Sequence, residues 1–285
     1  MKTHVDCFPC IINQTLDAAE INDLPEDQKE GIVYDVLEML RDLPEETPPP
    51  QVSYRMHRVV SRLTQKHDPY EKIRREANVR AMELIPEIRR RIRESREPLE
   101  TAVRYAIAAQ VFDGESGDSR SDIRRELEYA PTADFGVNHL KSLKSELRKA
   151  SKVVYLANAA GEIAFDRLLI EIIREEYSAE IVLIVKSEPV LTHATIDDAQ
   201  YADLEPLAHL VTNKSDAPTT LIDDVSDGVN HHLEDADVIL SKGQTHYESL
   251  NESSLNIYFL FQVNCPVIGR EINAELHQYV ILNNQ

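Results

Sequence analysis

The feature that most constrains the fold is a change of apolar period near Ala150. On its C-terminal side, short β-branched runs such as "KVVYLA", "AEIVLIVK", "AHLVTN", "ADVILSK" and "CPVIGR" alternate with helical stretches. In "EIAFDRLLIEIIREEY" the apolar residues fall at i, i+3, i+4 and i+7, the spacing of a helix that covers a sheet. This alternation predicts βαβ units and a mainly parallel sheet flanked by helices, because parallel strands need a crossover between them. From Cys7 to about Ala150 the texture is different: "CIINQTLDAAEI", "GIVYDVLEMLRDL", "RMHRVVSRLTQKH" and "TAVRYAIAAQVF" all carry helical spacing, punctuated by "LPEETPPPQV". The chain is therefore expected to be α/β, with a helical region over 1–150 and an α/β core over 151–285 that carries the site.

Charge narrows the partners. With 50 acidic and 31 basic residues the formal charge is −19, which leaves no basic excess to displace counterions from a nucleic acid. Runs such as "EIRRRIRESRE" read as solvated helix faces. No apolar run approaches the roughly 18–20 residues that span a bilayer, and "MKTHVDCFPC" lacks the apolar core of a signal peptide. A cytoplasmic protein with neither nucleic-acid nor membrane partners is expected. Its three cysteines do not make a disulfide framework. Cys7 and Cys10 form a CxxC, with Cys265 far downstream; they read either as small residues on adjacent helical turns or as a redox pair or half of a metal site.

In an open parallel sheet, ligands bind beyond the carboxyl ends of the strands. Four polar segments fall there: "ANAAGE" at Ala157 to Glu162, "KSEPVLTHAT" at Lys186 to Thr195, "TNKSDAPTT" at Thr212 to Thr220, and "SKGQTHYE" at Ser241 to Glu248. Asn158 and Gly161 could cap the following helix, and Thr195 could N-cap "IDDA". Lys242 is more pointed: a lysine before a glycine at a strand end can reach an anion, with the N–H groups of Gly243 and Gln244 as further donors. If the turns converge, His193 and His246 with Asn158 and a carboxylate such as Glu162 or Asp216 would make a first-row metal site. The adjacent His231 and His232 read as surface residues.

Nearly end to end, the chain resembles the damage-control phosphatase family, in its archaeal and bacterial branch with an N-terminal CxxC. The resemblance is carried by "DCFPCIINQTLDAA", "DPYEKIRREAN", "AIAAQVFD", "YLANAAGEIAFDRLLIE", "PVLTHATIDDA", "SDAPTT", "ADVILSKGQTHYESL" and "NCPVIGREI". It implies an all-helical N-terminal region on a Rossmann-like core, and metal-dependent hydrolysis of small phosphorylated metabolites. The family's Gly-Asp-Asn-Ala-Gly-Glu turn, whose Asp and Asn bind the metal, is here Ala157-Asn158-Ala159-Ala160-Gly161-Glu162, and its second Asn-Asp pair is Thr192-His193. Lys242, Gly243 and Gln244 match Lys-Gly-Gln, whereas Thr245 and His246 replace the Gly-Asn that follows, Ala109-Gln110 replaces a Gly-Asn, and Thr219 a Gly.

On this resemblance Asn158, His193 and His246 are the expected metal ligands. Glu162 and Asp216 are the expected catalytic carboxylates, and Lys242, Gly243, Gln244 and Gln110 the substrate contacts. Losing two carboxylates and one oxygen ligand disfavours Mg²⁺ and shifts the expectation to Co, Ni, Mn, Fe or Zn, or to no metal at all. The competing expectations are a phosphatase-inactive paralogue that binds a metabolite or metal, and a new His-based activity in which Cys7, Cys10 or Cys265 takes part.

Overall fold

The computed structural model describes residues 2–44, 46–64, 68–113, 121–215, 217, 219–222 and 224–285. It opens with helices α1 (Phe8–Ile21), α2 (Glu26–Arg41), α3 (Pro49–Thr64), α4 (Glu71–Glu94), α5 (Pro98–Ala108) and α6 (Ser121–Tyr129). Then follow β1 (Phe135–Asn138), α7 (Leu140–Leu147), β2 (Lys152–Leu156), α8 (Glu162–Glu176), β3 (Glu180–Val185), α9 (Ile196–Tyr201) and β4 (His209–Thr212). The chain ends with α10 (Asp227–Glu234), β5 (Val238–Lys242), α11 (Gln244–Leu250), β6 (Ile257–Gln262), α12 (Pro266–Ile272) and β7 (Tyr279–Asn283).

The seven strands form one sheet in the order β1-β7-β6-β5-β2-β3-β4, parallel throughout except for the antiparallel β6–β7 pair. The expected α/β sheet flanked by helices is present. It also recruits a strand from before the change of texture, since β1 pairs with β7 at Phe135↔Tyr279. "FGVN" has a single β-branched residue and too few positions to show a period of two, so nothing in its sequence marks it as a strand.

Alternation along the strands separates two cores. Val153, Tyr155, Leu183 and Leu240 face α4, α5 and α8, while Val154, Leu156, Val182, Ile239 and Phe259 face Val229, Tyr247 and Ile268 on the other side. Helices α1 to α3 form a separate apolar cluster around Ile11, Ala18, Val36 and Met56, which also takes in Val190 and Leu191 from the segment after β3. Each fully buried Leu, Ile or Phe contributes about 1.5–3 kcal/mol, so this cluster docks the first three helices directly over the loops at the sheet's carboxyl edge. Among the described residues no helix is long and apolar enough to cross a membrane.

Two features of this frame position the site. Beyond β2 the sheet runs to β3 and β4 on one side and to β5 and β6 on the other. The carboxyl ends of β2 and β5 therefore flank the topological switch point, where loops diverge and leave a crevice. The turn after β2 also depends on Gly161, whose φ is +81° and where an added Cβ would lie 2.8 Å from the Phe112 Cβ and 3.1 Å from the Ala77 Cβ. Gly161→Ala is expected to lower the unfolding free energy by roughly 1–3 kcal/mol, from the strained backbone and the clash together, read as a lower urea midpoint with an unchanged slope.

Candidate functional site

Backbone pairing zips the first two loops together. The Ala160 N–H donates to the Thr192 carbonyl at 2.9 Å and the Ala194 N–H to the Asn158 carbonyl at 2.9 Å, with Ala159 and His193 as an antiparallel bridge. From α4, Asn78 reaches across to brace the turn: its Oδ1 accepts from the Gly161 N–H at 2.7 Å while its Nδ2 donates to Asp198 at 2.6 Å. Arg74 completes the brace with Asp68 at 2.8 Å and Asp198 at 3.7 Å. The segment "DPYEKIRREAN" thus acts by fixing the turn's geometry. Thr195 and Asp198 form the capping box expected at the start of "IDDA".

Lys242 is the electrostatic centre. It is 1% exposed, and its Nζ lies 2.8 Å from Glu162 Oε2 and 3.0 Å from Asp166 Oδ1. The Tyr155 hydroxyl donates to Asp166 Oδ1 at 2.7 Å, and the Asn158 amide donates to Glu162 Oε1 at 2.6 Å. Burial pulls the Lys242 ammonium down, but Asp166 and Glu162 more than offset this and hold it above its ordinary value. Burial dominates at Asp166, whose carboxyl is pushed up to about 6 despite Lys242. The network is one ammonium facing two carboxyl groups in the dry interior, an arrangement that neutralises the lysine before any ligand arrives.

The two histidines join the same network in different ways. His193 Nδ1 sits 3.3 Å from the Asn158 carbonyl, and its buried Nε2 has no hydrogen-bond partner. Burial, with Lys186 nearby, holds this imidazole well below its usual pKa, so it is neutral, and donation from Nδ1 leaves a bare lone pair on Nε2. His246 is satisfied at both nitrogens: Nδ1 lies 2.7 Å from the Lys242 carbonyl and Nε2 lies 3.2 Å from the Thr220 hydroxyl. Burial pushes its pKa down to about 3, and it serves as a neutral strut of the core.

The structure thus brings Asn158, Glu162, His193, Lys242 and His246 together at the switch point, while Asp216 lies outside the described residues. A first-row metal would need several bare lone pairs converging on one point. Here the Asn158 Nδ2 is donated to Glu162, the Asn158 Oδ1 accepts from Thr245 at 3.5 Å and His246 is fully bonded, while His193 Nε2 and one oxygen of Asp166, Oδ2, are without a hydrogen-bond partner. Among the described residues no three His, Cys, Asp or Glu side chains stand where they could hold a metal ion. The described donors at the switch point therefore do not fit the cation that the family resemblance implies.

Gly243 and Gln244 divide the remaining expectation. The Gly243 N–H is spent on the Leu260 carbonyl at 3.1 Å, and its φ of +85° and lack of a Cβ make room for the Asn158 side chain, 2.5 Å from where a Cβ would stand. Gln244 faces a cleft of about 660 Å³ between the first helices and the sheet edge. Asn13, Gln14, Gln110, Gln262, Asn264 and Asn158 line it too, so amides are a large part of its polar surface, beside the charged Asp17, Asp113, Arg125, Glu126 and Glu248. Gln110 accepts from the Gln262 N–H at 2.9 Å, and Gln244 donates to Glu248 at 3.0 Å and accepts from the Asn264 N–H at 3.2 Å. Glu248 has its carboxyl pushed up to about 7 by burial. Asp166, Tyr155 and Asn78 were not singled out in the sequence, although Glu162 and Asp166 are four apart and therefore share a helix face.

The match to known proteins runs the length of this frame. The family model described as the damage-control phosphatase ARMT1-like domain matches residues 3–280. A damage-control phosphatase of Archaeoglobus fulgidus is 30% identical over 98% of both chains, and an uncharacterised protein of Methanocaldococcus jannaschii is 28% identical over 99% of this chain and 95% of its own. The crystal structure of a DUF89 family protein from Pyrococcus horikoshii superposes with a TM-score of 0.90 at 26% identity, covering 100% of both chains. With the sheet order, the switch-point turn and this end-to-end likeness in agreement, the chain belongs to the damage-control phosphatase family.

Proposed function

We propose that this member of the family binds a small phosphorylated metabolite in the amide-lined cleft and has given up the metal-dependent hydrolysis that the family resemblance implies. The observation that carries this reading is the Lys242 ammonium, already paired at 2.8 Å with Glu162 and at 3.0 Å with Asp166 and excluded from solvent. A lysine so placed holds the protein together and offers no charge to a phosphoryl oxygen. Asn158 supports the reading further. Its Nδ2 donates to Glu162 at 2.6 Å, whereas an ionised aspartate has no hydrogen to donate and would repel Glu162 unless a cation or a proton came between them. Recognition then falls to the lining of the cleft, where Gln110, Gln244 and the other amides suit hydroxyl and phosphoryl oxygens alike and the Arg125 guanidinium adds a positive charge.

A second reading, hydrolysis at a metal altered toward Co, Ni, Mn, Fe or Zn, draws on one observation: the buried, unpartnered Nε2 of His193 is a competent ligand for such ions.

Assays across Mg²⁺, Mn²⁺, Co²⁺, Ni²⁺ and Zn²⁺, with metal analysis of the purified protein, separate the two. The expected result is no metal-stimulated turnover, alongside a rise in melting temperature with phosphorylated metabolites. Turnover that depends on one of these metals and is lost in His193→Ala would instead establish the second reading. In the reverse experiment, Asn158→Asp with Ala159→Asn and His193→Asp rebuilds the family's ligand set. That variant is expected to be destabilised in a chelator and restored by Mg²⁺, because Asp at 158 would face Glu162 as an uncompensated like charge until a cation intervenes.

Lys242→Met tests the structural half of the proposal. It leaves Glu162 and Asp166 buried without their counter-ion, an expected loss of about 3–5 kcal/mol near neutral pH. Its pH dependence has a definite sign. A carboxyl raised in the folded state binds more protons there than in the unfolded chain, so stability falls as pH rises through the interval between the two values. For Asp166 that interval already runs from 3.8 to about 6 in the native protein, and it widens without the lysine. Native and variant lose this contribution alike up to about pH 6, so the variant's deficit in chemical denaturation should grow from about pH 6 to pH 8.

A further inference from the structure

All three cysteines of the chain line the same cleft. Cys7 and Cys10 belong to the N-terminal helical layer, at and just inside the start of α1, and Cys265 precedes α12 on the sheet side. A direct contact ties these two segments together, since Arg270 of α12 binds Asp6, the residue before Cys7, at 2.8 Å. The thiols also sense one another. After burial, Cys265 and Glu248 both help to raise Cys10, and Cys265 weighs more on Cys7 than Cys10 does from one helical turn away. Their exposure is graded: Cys10 is exposed, Cys265 half-buried and Cys7 buried. In a thioredoxin-like CxxC the first cysteine is the reachable one; here it is the second, so the pair is set to react outward across the cleft.

We propose that Cys10 and Cys265 form a reversible disulfide that links the helical layer to the sheet layer across the cleft. A peroxide serves as the oxidant. The Cys10 thiolate attacks a peroxide oxygen, breaking the O–O bond to give a sulfenic acid and one water. The Cys265 thiolate then attacks that sulfur, the S–S bond forms, and the sulfenic oxygen leaves as a second water. Two thiols have lost two electrons and two protons, and the peroxide has been reduced to two waters. Burial pushes the Cys7 thiol up to about 11, which keeps it protonated and out of this exchange at neutral pH. The bridge would narrow the entrance used by any cleft ligand, whether that ligand is bound or hydrolysed.

The test is a non-reducing tryptic map of the full-length protein after hydrogen peroxide treatment. The expected product joins the peptide over residues 3–29 to the peptide over 243–270 and reverts on adding a dithiol reductant. Cys7→Ser should keep the linked peptide, and Cys10→Ser should lower its yield at least about tenfold, since only the exposed thiol reacts readily. A Cys7–Cys10 link confined to 3–29, a bridge that persists in Cys10→Ser, or sulfinic acid at Cys10 with Cys265 still reduced would each overturn the proposal. So would one equivalent of Zn²⁺ that protects all three thiols from oxidation, because the cluster would then be a metal site.

Discussion

The architecture at the switch point depends on a buried ammonium shared between two carboxyl groups. Lys242 ends β5, while Glu162 and Asp166 lie one turn apart on α8, which follows β2. The pairing therefore fastens the helix leaving one central strand to the end of its neighbour, where a parallel sheet has no backbone hydrogen bonds left to give. Desolvating three ionisable groups costs several kcal/mol for each ion, and the Tyr155 hydroxyl and the Asn158 amide recover part of it as donors to the carboxylates. Such a cluster is stable only when complete, which couples the identities of Tyr155, Asn158, Glu162, Asp166 and Lys242 to one another.

Everything nearer the surface is arranged around that cluster. Asn78 holds the Gly161 N–H, so the turn delivers Glu162 to the lysine at a fixed height. Gly243, with its positive φ, leaves the space in which the Asn158 side chain lies. His246, bonded at both nitrogens, ties α11 to the Lys242 carbonyl and to Thr220. The cleft begins where this layer ends, and its lining mixes amides and thiols with the charged side chains of Asp17, Asp113, Arg125, Glu126 and Glu248.

Much of this was legible in the sequence, and the parts that were not have physical reasons. Strand and helix texture after Ala150 announced the α/β sheet because each element is long enough to show its period; β1, at Phe135–Asn138, is not. The four loops that meet at the switch point were locatable as the polar ends of β-branched runs. Their roles were harder to read, because a lysine at a strand end looks the same whether it faces a ligand or an internal carboxylate. The i, i+4 spacing of Glu162 and Asp166 was the available signal for the second case. His246 looked like a ligand for a related reason: the sequence shows an imidazole, while the Lys242 carbonyl and Thr220 hydroxyl that satisfy it come from other segments. Asn78 lies 83 residues from the N–H it caps, a separation that no local pattern records.

The substitutions at the turn are best understood as a set. An aspartate at 158 would stand against Glu162, and the repulsion between two carboxylates at hydrogen-bond distance could be relieved only by a cation or a proton. An asparagine in the same place donates to Glu162 at 2.6 Å and removes the need for either. Ala159 then has no ligand to present; its backbone pairs with His193, and the side chain is fully buried. His193, in turn, is neutral and adds no charge to a region where Lys186 and Lys242 are already buried. On the proposed reading, each change lowers the dependence of this junction on a bound cation. Under the proposed function, that independence suits a turn whose task is to shape the floor of a binding cleft.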